Sequence, residues 1–180
     1  LHIQDGLWSM EQVHYNAKLG QFWAELTPGK PRITSPYWRS ELTLNDNLVR
    51  GIAECGMDII AYQDGVGFTT KFRPQDPAQN DRVFDIFRWA HEQTPVKLWA
   101  NTELFRFEND IHFQPLLPGP FERIRTQIRT AAPHVERIVA YTRPGIMTSQ
   151  EICPELGVPE TERLYWSYRG YREAWLAEKE

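Results

Sequence analysis

Two spacings of apolar residues take turns along the chain, and together they set its plan. Val13, Leu19, Phe22, Trp23 and Leu26 recur at helical intervals, behind a capping box of Ser9 and Gln12 and ahead of the stop Pro28-Gly29. This predicts a helix from Ser9 to about Leu26. Arg32 to Trp38 reads as a short strand. A second helix follows from about Leu42, with Leu44, Leu48 and Ile52 on one face and Gly56 at its end. "MDIIAY" at 57–62 is apolar enough for a strand buried on both faces.

The same unit then repeats. Asp76-Pro77 opens a helix with Val83, Phe84 and Phe87 inward, and Pro95 breaks it. A strand from Val96 to Ala100 runs on into Asn101, Thr102 and Glu103. Gly119-Pro120 starts a helix carrying Phe121, Ile124 and Ile128, closed by Pro133. "RIVAY" at 137–141 is the fourth strand, and a last helix spans about Glu160 to Ala177. Four buried strands alternating with helices imply an α/β chain of parallel βα units joined by right-handed crossovers.

Such units build either a small doubly wound sheet or part of a (β/α)8 barrel of the TIM type. Polar residues cluster at every strand exit: Ser35, Tyr37 and Trp38; Gln63 and Asp64; Asn101 and Glu103; Tyr141 and Thr142. A barrel assembles its site at that face from several strands, whereas a doubly wound sheet concentrates it at one switch point. The distribution favours half of a barrel. The edges of such a half are unpaired, so the first half is expected upstream or in another chain, or a second copy takes its place. Residues 1–180 are then one domain or half of one, and Leu1 in place of an initiator Met fits processing or a fragment.

Composition narrows the function. Charged residues make up 24% of the chain, net charge is −4 and like charges do not run together, which argues against nucleic acid as a partner. No apolar run is long enough for a membrane span, and no signal peptide is visible. Cys55 and Cys153 fit no metal or disulfide spacing and read as buried or half-buried thiols. No metal or organic cofactor is implied. Aromatics reach 13%, with several rings at strand exits. Most such rings fill cores, but Tyr37, Trp38, Trp99 and Tyr141 could also stack on the flat faces of a sugar.

Strand alternation puts Trp99, Asn101 and Glu103 on one side of one strand. Glycoside hydrolysis uses two carboxyl groups, one to attack or activate water and one to protonate the leaving oxygen. Glu103 is the candidate nucleophile; the alternative is a surface glutamate paired with Arg106. Asp64 is a candidate second carboxylate, a ligand for a sugar hydroxyl together with Gln63 and Asn101, or a cap for the turn at Gly65 and Gly67. The Gly-x-Gly there has no helix directly behind it and does not read as a phosphate loop. His2, Asp5 and Trp8 precede the first helix, where an earlier barrel strand would end.

Three fragments carry a resemblance: "ITSPYW", "GMDIIAYQDGVG" and "ELTPGKPRITSPY". They resemble the bacterial domain-of-unknown-function family 4434, glycosyl-hydrolase-like (β/α)8 barrels, and the likeness spans most of residues 5 to 145. It implies that the C-terminal four barrel units, about strands five to eight, are present and the first four lie upstream. Counted back from the last helix, the strand of Glu103 is the seventh of eight, where clan-A-type glycosidases keep their nucleophile. Their acid/base sits at the end of the fourth strand, commonly as Glu. Here that segment offers His2, Gln4 and Asp5, so Asp5 or a residue outside the chain would serve. The resemblance also implies a periplasmic or secreted protein acting on an oligosaccharide or polysaccharide. A carbohydrate-binding or scaffolding barrel without catalysis is the alternative, and a doubly wound binding domain a third.

Overall fold

In the computed structural model the described residues are 9–38, 44–68, 75–108, 116–141, 145–155 and 157–178. Six strands and five α-helices occur among them: α1 (Met10–Leu26), β1 (Ile33–Thr34), α2 (Leu48–Glu54), β2 (Ile59–Gln63), α3 (Gln79–His91), β3 (Lys97–Glu103), β4 (Phe105–Phe107), β5 (Leu116–Pro118), α4 (Phe121–Ala131), β6 (Arg137–Tyr141) and α5 (Pro159–Ala177). Strands β1, β2, β3 and β6 form one sheet in that order, every neighbouring pair parallel. The α/β plan with a parallel sheet is therefore present. Each strand lies beside its predecessor in the chain, without a reversal of order.

The helices pack on one face of this sheet. Ile60 and Tyr62 of β2 and Leu98 and Ala100 of β3 join Val83, Phe84, Phe87 and Ala90 of α3 and Leu48 and Ile52 of α2 in one buried cluster. Tyr62 stacks on Phe87 with ring centroids 3.8 Å apart, and its hydroxyl donates to His91 Nε2 at 3.1 Å. His91 Nδ1 donates in turn to the Val96 carbonyl at 2.8 Å; that bond favours the charged ring, but burial outweighs it and lowers the pKa. A second cluster joins Leu104 and Phe105 to Ile124 and Ile128 of α4 and Leu164 of α5.

Several elements differ from the sequence-based expectation, each for a local reason. The strand foreseen over Arg32–Trp38 narrows to Ile33–Thr34 with an isolated bridge from Tyr37 to Gln63. Pro36 lies between them and has no N–H to give the ladder; its carbonyl accepts from Gln63 N–H at 2.8 Å. The second helix, foreseen from Leu42, forms as a 3-10 turn at Asn45–Asn47 followed by α2. Asp76 does not start α3 directly, because its side chain holds the turn ahead of it by accepting from Ala78 N–H at 2.9 Å. The antiparallel pair β4–β5 was not foreseen at all. Its strands are three residues each, too short for their alternation to be read. Neither cysteine is in a disulfide; Cys55 is buried and Cys153 half-buried, as expected.

Candidate functional site

The side chains of the sheet's other face, away from the helices, follow from the register. Gln63 pairs with Asn101, and Glu103 with Tyr141 on the neighbouring strand. Residues of like parity on β1, β2, β3 and β6 therefore share this face. Near the strand exits it carries a polar lattice centred on Ser35. The Ser35 hydroxyl donates to the Ala61 carbonyl at 2.8 Å and accepts from Asn101 Nδ2 at 2.7 Å, while Gln63 Nε2 donates to the Ser35 carbonyl at 2.6 Å. Two candidate residues, Gln63 and Asn101, are thus brought together by one serine. Asn101 Oδ1 has no hydrogen-bond partner among the described residues.

One step further along β3, Glu103 is wholly buried, not the surface residue that was its alternative reading. Its Oε2 accepts from Gly67 N–H at 2.6 Å, and its Oε1 has no partner among the described residues. Asp64, at the end of β2, is equally enclosed. It accepts from Gln127 Nε2 at 2.7 Å, Asn80 Nδ2 at 3.4 Å, Val66 N–H at 3.2 Å and Glu103 N–H at 3.4 Å. Both of its oxygens are occupied, and every partner is a donor. That is the environment of an anchoring carboxylate that ties the two strand exits together. It includes the turn-capping bond foreseen for Asp64, here to Val66, but adds two side chains from α3 and α4.

Burial pushes the Glu103 carboxyl up to about 8, and the neighbouring charge of Asp64 pushes it the same way. Burial also raises Asp64, against its four donors and the nearby Arg123. Asp64 holds four donors against the Gly67 and Phe68 N–H groups on Glu103, so the pair's negative charge is better accommodated on Asp64. The turn that makes this possible is glycine-dependent. Gly65 takes φ +67° under the Tyr37 ring, and a Cβ on Gly67 would lie 2.6 Å from Glu103 Oε2.

The aromatic candidates separate. Trp38 packs against the helix-side core, and Trp99 precedes Glu103 by four strand residues, about 13 Å. There Trp99 lies under Arg137, 5.4 Å from the ring centroid, and lines a hollow of about 600 Å³ at the strands' N-terminal ends. Tyr37 and Tyr141 stay at the exits, joined by rings the sequence reading missed. Phe68 lies 6.3 Å from Tyr37 and 6.1 Å from Phe105, and Phe105 lies 6.0 Å from Tyr141. Phe68 and Tyr141 are 41% and 48% exposed, with the buried Phe105 between them. Phe68 follows the Gly-x-Gly turn directly, a signal its sequence position offered. His2, Asp5, Trp8 and Thr142 lie outside the described residues, and these show no cluster of groups that could hold a metal ion. No described helix is long and apolar enough to cross a membrane.

The fold is similar to that of a crystal structure described as "a putative alpha-L-fucosidase" from Bacteroides thetaiotaomicron. The TM-score is 0.64 at 18% identity, over 89% of this chain and 50% of that one. At that identity the likeness is one of fold alone, and the chain spans half the length of that structure. No curated protein matches the chain. Residues 10–153 match the family described as Domain of unknown function (DUF4434), and to that family the chain belongs.

Proposed function

We propose that this chain is the C-terminal half of a (β/α)8 barrel that acts on an oligosaccharide or polysaccharide, with Glu103 as a reacting carboxyl. The observation that carries the reading is Glu103 itself. It is a buried acid at the exit of a parallel strand, with one oxygen fastened by Gly67 N–H and the other unpartnered. The unreversed strand order β1-β2-β3-β6 supports the barrel, since a doubly wound sheet changes direction at its switch point. Among the described residues neither β1 nor β6 has a strand on its outer edge, which leaves room for an upstream half or a second copy. The unpartnered Asn101 Oδ1 and the exposed rings of Phe68 and Tyr141 suit the hydroxyls and apolar faces of a sugar.

The environment refines the role of Glu103. A nucleophile attacks as the anion, whereas a carboxyl holding its proton up to about 8 is poised to donate it to a leaving oxygen. Asp64, saturated with donors, serves as anchor and charge, and the second reacting carboxyl is Asp5 or a residue of the missing half. Replacing Glu103 with Gln should lower turnover of a responsive glycan by at least ~10³ while leaving its binding intact. Full activity in that variant rejects the assignment. The second reading, a carbohydrate-binding barrel without catalysis, draws on the complete burial of Glu103. It predicts glycan binding with no turnover by wild type or variant.

A further inference from the structure

The main-chain carbonyl of Glu103 is held by two donors from α4, Arg123 Nη2 at 2.9 Å and Gln127 Nε2 at 3.2 Å. Arg123 Nη2 also donates to the Phe105 carbonyl at 2.8 Å, and Nη1 to the Val66 carbonyl at 3.3 Å. One guanidinium therefore ties the loop after β2 to the junction of β3 and β4. Gln127, one helical turn on, fastens Asp64 from the same face of α4. The guanidinium fits against Gly119, where a Cβ would meet Nη2 at 2.2 Å. All of its hydrogen bonds end on neutral carbonyls, so its charge is not cancelled by a carboxylate in direct contact. A largely buried cation needs compensation, and the nearby carboxyl pair supplies it.

We propose that Arg123 is the positioning residue of this site: it fixes the backbone of Glu103 and carries the positive charge that balances the Glu103–Asp64 pair. The inference rests on the proposed function only for its catalytic consequence. Arg123 and the two carboxyls act on one another in the expected sense. Burial lowers Arg123 while both carboxyls raise it, and Arg123 opposes the upward push of burial on each of them. The groups facing Glu103 are Asp64 from the end of β2, Arg123 from α4 and Tyr141 across on β6. Arg106 of β4 acts on Arg123 as a like charge.

The test is a carbon-13 carboxyl NMR titration of the chain, with the Glu103 signal identified by its loss in Glu103→Gln. In Arg123→Met the Glu103 midpoint should rise by at least one pH unit, a tenfold change in proton affinity, and Arg123→Lys should restore most of it. A folded Arg123→Met with an unchanged midpoint overturns the proposal. Should Arg123→Met not fold, Arg123→Gln, neutral but still a donor, takes its place with the same expectation. If neither neutral variant folds, the guanidinium serves the fold and the proposal is also overturned. A shifted midpoint in a protein that turns over no glycan leaves the role of Arg123 standing and removes the hydrolase reading instead.

Discussion

The two faces of β2 and β3 are built from alternate residues of the same strands, and they are finished to different degrees. Toward the helices, Ile60, Tyr62, Leu98 and Ala100 meet Phe84 and Phe87, and the polar atoms of Tyr62 and His91 are all paired. Toward the other side, Trp99 Nε1, Asn101 Oδ1 and Glu103 Oε1 recur every second residue along β3 without a hydrogen-bond partner among the described residues. Ile33 and Tyr141 on that side are 44% and 48% exposed. Buried polar groups in native proteins are rarely left unpaired, and each exception calls for an explanation. Thr102 Oγ1, on the helix side of β3, is also without a partner among the described residues, but only the other face has three such atoms in succession. The helix side carries the apolar core and the other side the row of open polar groups.

The sharpest way to break this comparison is to cut into the helix side. Phe87→Ala removes the ring stacked on Tyr62 and should cost about 3–5 kcal/mol of folding stability, read by urea denaturation. A loss under about 1 kcal/mol would mean that the helix side is not the stabilising one.

Next in size is a pH effect that separates the faces by sign. The folded pKa of Glu103, about 8, lies above its ordinary 4.5, so the stability it contributes is full below pH 4.5. It is lost as pH rises through 8, at up to about 1.4 kcal/mol per unit. His91 is depressed from 6.5, so its contribution is present above that pH and lost on acidification. Melting curves between pH 4 and 9 should therefore show a decline toward alkali that Glu103→Gln reduces, Asp64 keeping a trend of the same sign. An undiminished decline in that variant would place its origin elsewhere.

Gly67→Ala tests how tightly the other face is closed over its acid. The added methyl would overlap Glu103 Oε2 and should cost about 1–3 kcal/mol, with a downward shift of the Glu103 midpoint as water enters. An unshifted midpoint would show that the turn does not seal the carboxyl. The smallest expected effect is that of Ser35→Ala. It loses the bonds to Ala61 and Asn101 and should lower stability by about 0.5–1.5 kcal/mol, measured by thermal melting.

The fold was legible where long segments kept one period. "MDIIAY" and "RIVAY" announce β2 and β6, and the apolar stripes of α3 and α4 place their helices to within a few residues. The three-residue strands β4 and β5 carry too little pattern to be read. At the site, Gln63, Asp64, Asn101 and Glu103 could be named because each lies at or just past the C-terminal end of a buried strand. Arg123 and Gln127 could not. They sit on a helix surface, among residues that look solvated, and only the packing of α4 against the end of β3 turns them inward. Trp38 packs toward the helices and Trp99 sits four residues short of Glu103 on the other face, placements that the letters alone do not give.

Gly67 packs against Glu103 Oε2 and screens the acid from water, so the turn after β2 acts as a valve. While it is shut, burial holds the carboxyl toward its protonated form, against the Gly67 N–H, which favours the anion. Any movement that lifts Gly67 wets Glu103, returns it toward its ordinary acidity and sends the proton into solvent. Opening of this loop is then a chemical event with a count: titration calorimetry in buffers of different ionisation heat would register it as protons released per molecule.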